Sequence, residues 1–196
     1  HDFWHDPECR VHLISEEVEL SDCEEATIRW QAEWRTGEKV VLLEDRTMRF
    51  TATEDEAWID FEISLAPPAG SVTFGDTKEG FFAIRLAPSL KVEGGPTARG
   101  LLGNKEGLSG RSVWGKRSAE VFAEGPIEGR LVRVTLMDDP DNVRFPTWWH
   151  ARTYGLVTAN PFGRRAFEGA GAPEGAITIT ADQPLQLRYR VGLRAN

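Results

Sequence analysis

With 196 residues, 40% of them apolar, the chain can bury one sizeable core, most simply as a single domain. A formal charge of −8 argues against a nucleic-acid partner, which needs a basic patch. No window of eighteen apolar residues exists to span a membrane.

The start, "HDFWHD", lacks a Met and carries a Trp and two His, so it reads as cut from a longer chain. No signal peptide is visible, and a cytoplasmic location is the expectation. Cys9 and Cys23 are the only cysteines. They read as two ordinary thiols or as one bridge, and are too few for a disulfide framework or a Cys-rich zinc site.

In "ATIRWQAEWR" (26–35), Ala26, Ile28, Trp30, Ala32 and Trp34 alternate with polar residues, the period of a half-buried strand. "KVVLLEDRTMRFTAT" after a "TGE" turn, and "AWIDFEISLA" after "EDE", continue the pattern. "SVTF", "GFFAIRLA", "SAEVFAE", "RLVRVTLMD", "GAITITA" and "LQLRYRVGL" repeat it, separated by Gly and Pro turns. No segment holds a 3.6-residue period, so the expectation is all-β: an antiparallel β-sandwich, more than half strand or tight turn, with no helix beyond about three turns. Three irregular segments interrupt it, at 74–80, 103–117 and 138–163, and function is sought there because loops on a rigid sheet carry binding groups.

"GDTKEG" sets Asp76, Lys78 and Glu79 between two glycines. It is either a solvated turn or a place where a Lys–carboxylate pair tunes acid–base behaviour. "VWGKR" sets Trp114 beside Lys116 and Arg117, suited to a sugar ring or an anion, or else a core Trp with basic residues snorkelling outward. In "RFPTWWHARTYGLVTANPFG" (144–163), residues from Thr147 to Ala159 can run as one strand. Alternation then sends Trp148, His150, Arg152 and Tyr154 to one face, and Trp149, Ala151 and Thr153 to the other. The first face is too polar for a core and too aromatic for idle surface, as a concave ligand face would be. The competing reading is a packing corner with a satisfied histidine. Asn160 can cap the closing turn with its side-chain amide. His1 and His5 with Asp2 or Asp6 offer the one metal reading, unsupported by HxH or HExxH spacing. No metal and no cofactor is expected.

The ordered set "DFW" (2–4), "RVH" (10–12), "FGDTKEG" (74–80), "WGKR" (114–117), "GPIEG" (125–129), "NVRFPTWWHARTYGL" (142–156) and "NPFG" (160–163) resembles the bacterial PmoA-like family, over essentially the whole chain. That family is often labelled methane oxygenase. A true particulate methane oxygenase subunit is an integral membrane protein, so methane oxidation is rejected for this chain. The resemblance implies a soluble β-sandwich, part of a galactose-mutarotase-like supersandwich, among sugar-catabolism proteins. Relatives carry a further N-terminal portion with an "HHRG" motif, which this chain is expected to lack, leaving a sheet edge that invites association. Asp139 and Phe145 stand where relatives often have histidine.

The expected partner is a small carbohydrate. Trp114, Trp148 and Tyr154 would stack on it, and Lys116, Asn142, Arg144, Arg152 and Asn160 would hold its oxygens. Glu79 and His150 would be acid and base, supported by Lys78 and Asp76, for hydrolase, lyase or epimerase chemistry on a sugar or keto-sugar. The alternative is a non-catalytic sugar-binding or assembly module, which needs no acid–base pair.

Overall fold

A computed structural model describes residues 1–21 and 25–195. Its strands are β1 (Cys9–Ser21), β2 (Glu25–Thr36), β3 (Lys39–Ala52), β4 (Glu56–Ala66), β5 (Ser71–Phe74), β6 (Phe82–Arg85), β7 (Leu101–Asn104), β8 (Glu120–Ile127), β9 (Arg130–Asp138), β10 (Trp148–Arg152), β11 (Leu156–Asn160), β12 (Ile177–Thr180) and β13 (Leu185–Ala195). The one α-helix among the described residues is α1 (Arg164–Glu168). Strand makes up 56% of the chain, and the expectation of an all-β fold without long helices holds.

The strands form an eight-stranded sheet in the order β1-β2-β3-β4-β13-β9-β8-β7, a three-stranded sheet β10-β11-β6 and a two-stranded sheet β12-β5. Every pairing is antiparallel. Local chemistry explains the turns. Ile127 pairs with Arg130 across Glu128 (φ 50°) and Gly129 (φ 83°), so two left-handed residues close a two-residue hairpin whose twist matches the strands.

The three-stranded sheet lies on the apolar face of the large one. Phe82 of β6 meets Phe61 of β4 at 4.8 Å and stacks on Tyr189 of β13 at 4.5 Å between ring centroids. Trp149, Val157 and Ala159 are fully buried in the same cluster as Ile63, Leu65 and Leu187 of the large sheet. The two-stranded sheet joins through Phe74, stacked on Phe162 at 4.6 Å.

Three differences from the sequence reading have physical causes. Residues 147–159 are not one strand. β10 and β11 form a hairpin, Arg152 pairing with Leu156 across Thr153, Tyr154 and a left-handed Gly155 (φ 93°). A three-residue loop with Gly at its left-handed position is a standard hairpin closure. β1 escapes the alternation pattern because a bulge between Leu13 and Ser15 shifts its period. β7 runs two residues, Gly103 and Asn104, into the segment 103–117 taken as irregular. Cys9 is buried, its thiol 3.6 Å from Asp6. Cys23 lies outside the described residues, and the bridge alternative falls there.

Candidate functional site

The β10-β11-β6 register decides which side chains share a surface. Trp149, Ala151, Val157, Ala159, Phe82 and Ile84 turn inward. On the outer face Arg152, Leu156 and Arg85 form one cross-strand row, and His150, Thr158 and Ala83 the next. Over this face lies a cleft of about 180 Å³. Arg85, His150, Arg152 and Leu156 line its floor, with Tyr154 of the hairpin loop, Lys78 and Glu79 on one side, and Trp4 and His5 of the N-terminal turn on another.

The Lys78–Glu79 loop is tied down by six hydrogen bonds. Asp76 accepts hydrogen bonds from the backbone N–H groups of Arg165 (2.8 Å), Ala166 (3.0 Å) and Gly175 (2.6 Å). Asn160 Nδ2 donates to Thr77 O at 2.8 Å, and Trp4 Nε1 to Gly80 O at 3.2 Å. His150 Nδ1 lies 2.8 Å from Lys78 O. Gly80 lets the loop backbone rest on β11, since a Cβ there would stand 2.5 Å from Thr158 Cγ2.

Asp76 thereby serves as a remote cap for α1. Burial pushes its carboxyl upward, but the three N–H donors outweigh that and hold it below the ordinary 3.8. Its stabilisation is therefore present above that ordinary value and lost as pH falls through the lowered one. Asp76→Ala is expected to cost about 1–2 kcal/mol, as the loss of a helix cap does. Chemical denaturation checks it: the gap to wild type should stand at neutral pH and close in strong acid.

His150 is buried, and a carbonyl only accepts, so its Nδ1 carries the proton donated to Lys78 O. Nε2 is left as the acceptor of a neutral ring. Burial first, then the positive charges of Arg152 and Lys78, hold the ring below the ordinary 6.5 against the opposing pull of the Lys78 carbonyl and Glu79. Trp114 lies edge-on to the imidazole, with 6.3 Å between ring centroids. Glu79 receives Thr77 Oγ1 at 2.8 Å and Lys78 Nζ at 3.0 Å. Burial pushes its carboxyl up, but these two donors prevail and hold it below the ordinary range. Near neutrality the cleft therefore holds an uncharged base and an ionised carboxylate, and Glu79 is not a proton donor.

Of the residues singled out in the sequence, Lys78, Glu79, His150, Arg152 and Tyr154 meet in this cleft. Trp114 touches it only through His150, and Lys116 is exposed outside it. Others have structural partners instead. Trp148 is 3% exposed, its Nε1 donating to Glu168 at 3.1 Å under the Arg117 guanidinium. Arg144 donates to the carbonyls of Pro161, Gly175 and Ala176, so it ties loops together. Asn142 bonds Asp138 and the backbone of Arg188. Asn160 does cap the 160–163 turn, its Oδ1 accepting from Phe162 N and Gly163 N, but it is fully buried. Sequence reasoning passed over Arg85, and noted Trp4 only within a family motif and His5 only in a metal reading. Alternation in "FFAIRLA" already places Arg85 opposite Phe82 and Ile84, but not which outer face is enclosed.

The sequence profile of one family, described as a family of unknown function (DUF6807), matches residues 1–195. No curated protein matches the chain.

Proposed function

The chain belongs to the DUF6807 family, and from that premise we propose that its cleft binds a single acidic sugar, or a keto-sugar acid, and removes a proton beside the carbonyl carbon. The observation that carries this is the outer-face array: His150 with a neutral acceptor Nε2, next to the row in which Arg152 and Arg85 flank Leu156. Lys78, Arg85 and Arg152 bring three positive charges against one from Glu79, in a protein of net charge −8. Arg85 and Arg152 make no ion pair among the described residues. Guanidinium forks suit a carboxylate, and positive charge beside it stabilises the enolate that forms when a C–H bond breaks. Tyr154, under the Arg152 guanidinium at 5.4 Å, offers a ring face to the sugar.

The volume favours one ring, since drug-sized ligands occupy pockets of roughly 300–1,000 Å³. Lyase or epimerase chemistry fits better than glycoside hydrolysis, which uses two carboxylates flanking the bond. Glu79 is the one carboxylate lining this cleft. Within the same reading the protein is a PmoA-like family member built on part of a mutarotase-like supersandwich, and methane oxidation is not its activity. Calorimetric titration tests the ligand class. A uronic acid should bind, its neutral parent sugar should bind at least about tenfold more weakly, and Arg85→Ala or Arg152→Ala should erase the difference, as loss of a charge-assisted bond does. Equal affinity for both sugars would sink the acidic-ligand reading.

A further inference from the structure

β1 is an edge strand of thirteen residues, hydrogen-bonded to β2 on one side only. Twelve of its residues are exposed, Leu20 at 81%. Such an edge presents unpaired N–H and C=O groups, and proteins blunt one with charged side chains, above all Lys, with Pro or with a bulge. β1, "CRVHLISEEVELS", has a bulge and charges but neither Lys nor Pro. Its basic and acidic side chains are sorted: Arg10 and His12 in the first half, Glu16, Glu17 and Glu19 in the second.

The bulge gives that sorting a geometric meaning. Leu13 pairs with Ala32 and Ser15 with Gln31, leaving Ile14 as the extra residue. Before the bulge, Val11 and Leu13 share the apolar face with Trp34 and Ala32. After it, Glu16, Val18 and Leu20 share that face with Trp30, Ile28 and Ala26. Arg10 and His12, then Ser15, Glu17 and Glu19, occupy the opposite face.

We propose that β1 pairs antiparallel with β1 of a second copy about a two-fold axis between Ile14 and Ser15, joining two eight-stranded sheets. In that register Arg10 faces the second copy's Glu19, His12 its Glu17, Val11 its Val18 and Leu13 its Glu16. Each of these residues meets one on the same face, because the one-residue shift at the bulge is repeated in both copies. A slip of one residue would continue the apolar face of one copy as the polar face of the other. A two-fold contact must be self-complementary, and a strand basic in one half and acidic in the other is so. Arg10, His12, Glu16 and Glu17 enter no ion pair among the described residues, while Glu19 already holds Arg29 at 2.6 Å.

Sedimentation velocity over a wide micromolar range tests it. The wild-type chain should dimerise. Arg10→Glu and Glu19→Arg should each raise the dissociation constant by about tenfold or more, since each reversal changes two symmetry-related pairs. The double variant should dimerise like wild type again. Oxidation of a Val11→Cys/Val18→Cys chain should yield a crosslink between copies joining positions 11 and 18. These two sites lie roughly 23 Å apart along one strand, too far to bridge within it. A monomer throughout the range overturns the proposal. So does a dimer indifferent to both single reversals, or a double variant that stays as weak as the singles.

Discussion

His150→Gln is expected to slow deuterium uptake from solvent, at the carbon beside the substrate carbonyl, by about 10²–10⁴-fold, the usual contribution of a positioned base. The base would be Nε2, because Nδ1 is committed to Lys78 O. When the C–H bond breaks, the proton passes to Nε2 and the electron pair moves into the enolate, beside the Arg152 and Arg85 charges. Return of the proton from Nε2 gives the starting sugar, and a proton delivered by solvent to the opposite face gives the epimer. Departure of a group from the next carbon gives elimination. The base works only while neutral, and burial holds His150 below the ordinary 6.5. Rate should therefore be flat around neutral pH and fall as pH drops through that lowered value. If His150 served only to tether the 78–79 loop, the acidic limb of the pH profile would survive in the Gln variant. Its disappearance identifies the base.

Trp148→Ala is expected to cost about 3–5 kcal/mol, the range for emptying a buried Trp site. Against a total stability of about 5–15 kcal/mol, that leaves the protein partly unfolded at moderate denaturant. The ring is 3% exposed and sits between the Arg117 guanidinium, 4.7 Å from its centroid, and Glu168, which accepts its N–H. Arg117 in turn donates to the carbonyls of Pro146, Arg144 and Phe145, so the loss spreads into the segment before β10. Arg152→Ala makes the contrast. Arg152 is half-buried, and its recorded contact is the Tyr154 ring at 5.4 Å. Its removal should change stability by less than about 1 kcal/mol while weakening acidic-sugar binding about tenfold or more. Urea denaturation and calorimetry on both variants measure this. An Arg152→Ala protein that unfolds, or a Trp148→Ala protein that stays fully stable, would reverse the assignment.

The strands of the large sheet were legible where alternation is strict, as in β2, where Ala26, Ile28, Trp30, Ala32 and Trp34 do share one face. The same periodicity failed at β1, because one bulged residue turns Val11 and Leu13, then Val18 and Leu20, into an irregular string. It overran at 147–159, because Gly155 sits amid residues that otherwise favour strand and only its left-handed φ marks the hairpin. At the cleft, alternation correctly separated His150 and Arg152 from Trp149 and Ala151. It could not tell a cleft-lining arginine from one consumed by backbone carbonyls. Arg144 and Arg152 are equally polar in sequence, but the partners of Arg144 lie 17 to 32 residues away, where only the folded chain brings them. The same blindness hid Arg85, whose row with Leu156 and Arg152 depends on a pairing between β6 and β11.

Proton NMR of a uronic acid in heavy water with the wild-type protein puts the central claim to its most direct test. The account predicts that the signal of the hydrogen beside the carboxylate decays as deuterium replaces it, or that an elimination product appears, and that neither occurs with His150→Gln. An undiminished signal across a panel of sugar acids and keto-sugar acids, each shown by calorimetry to occupy the cleft, would contradict it.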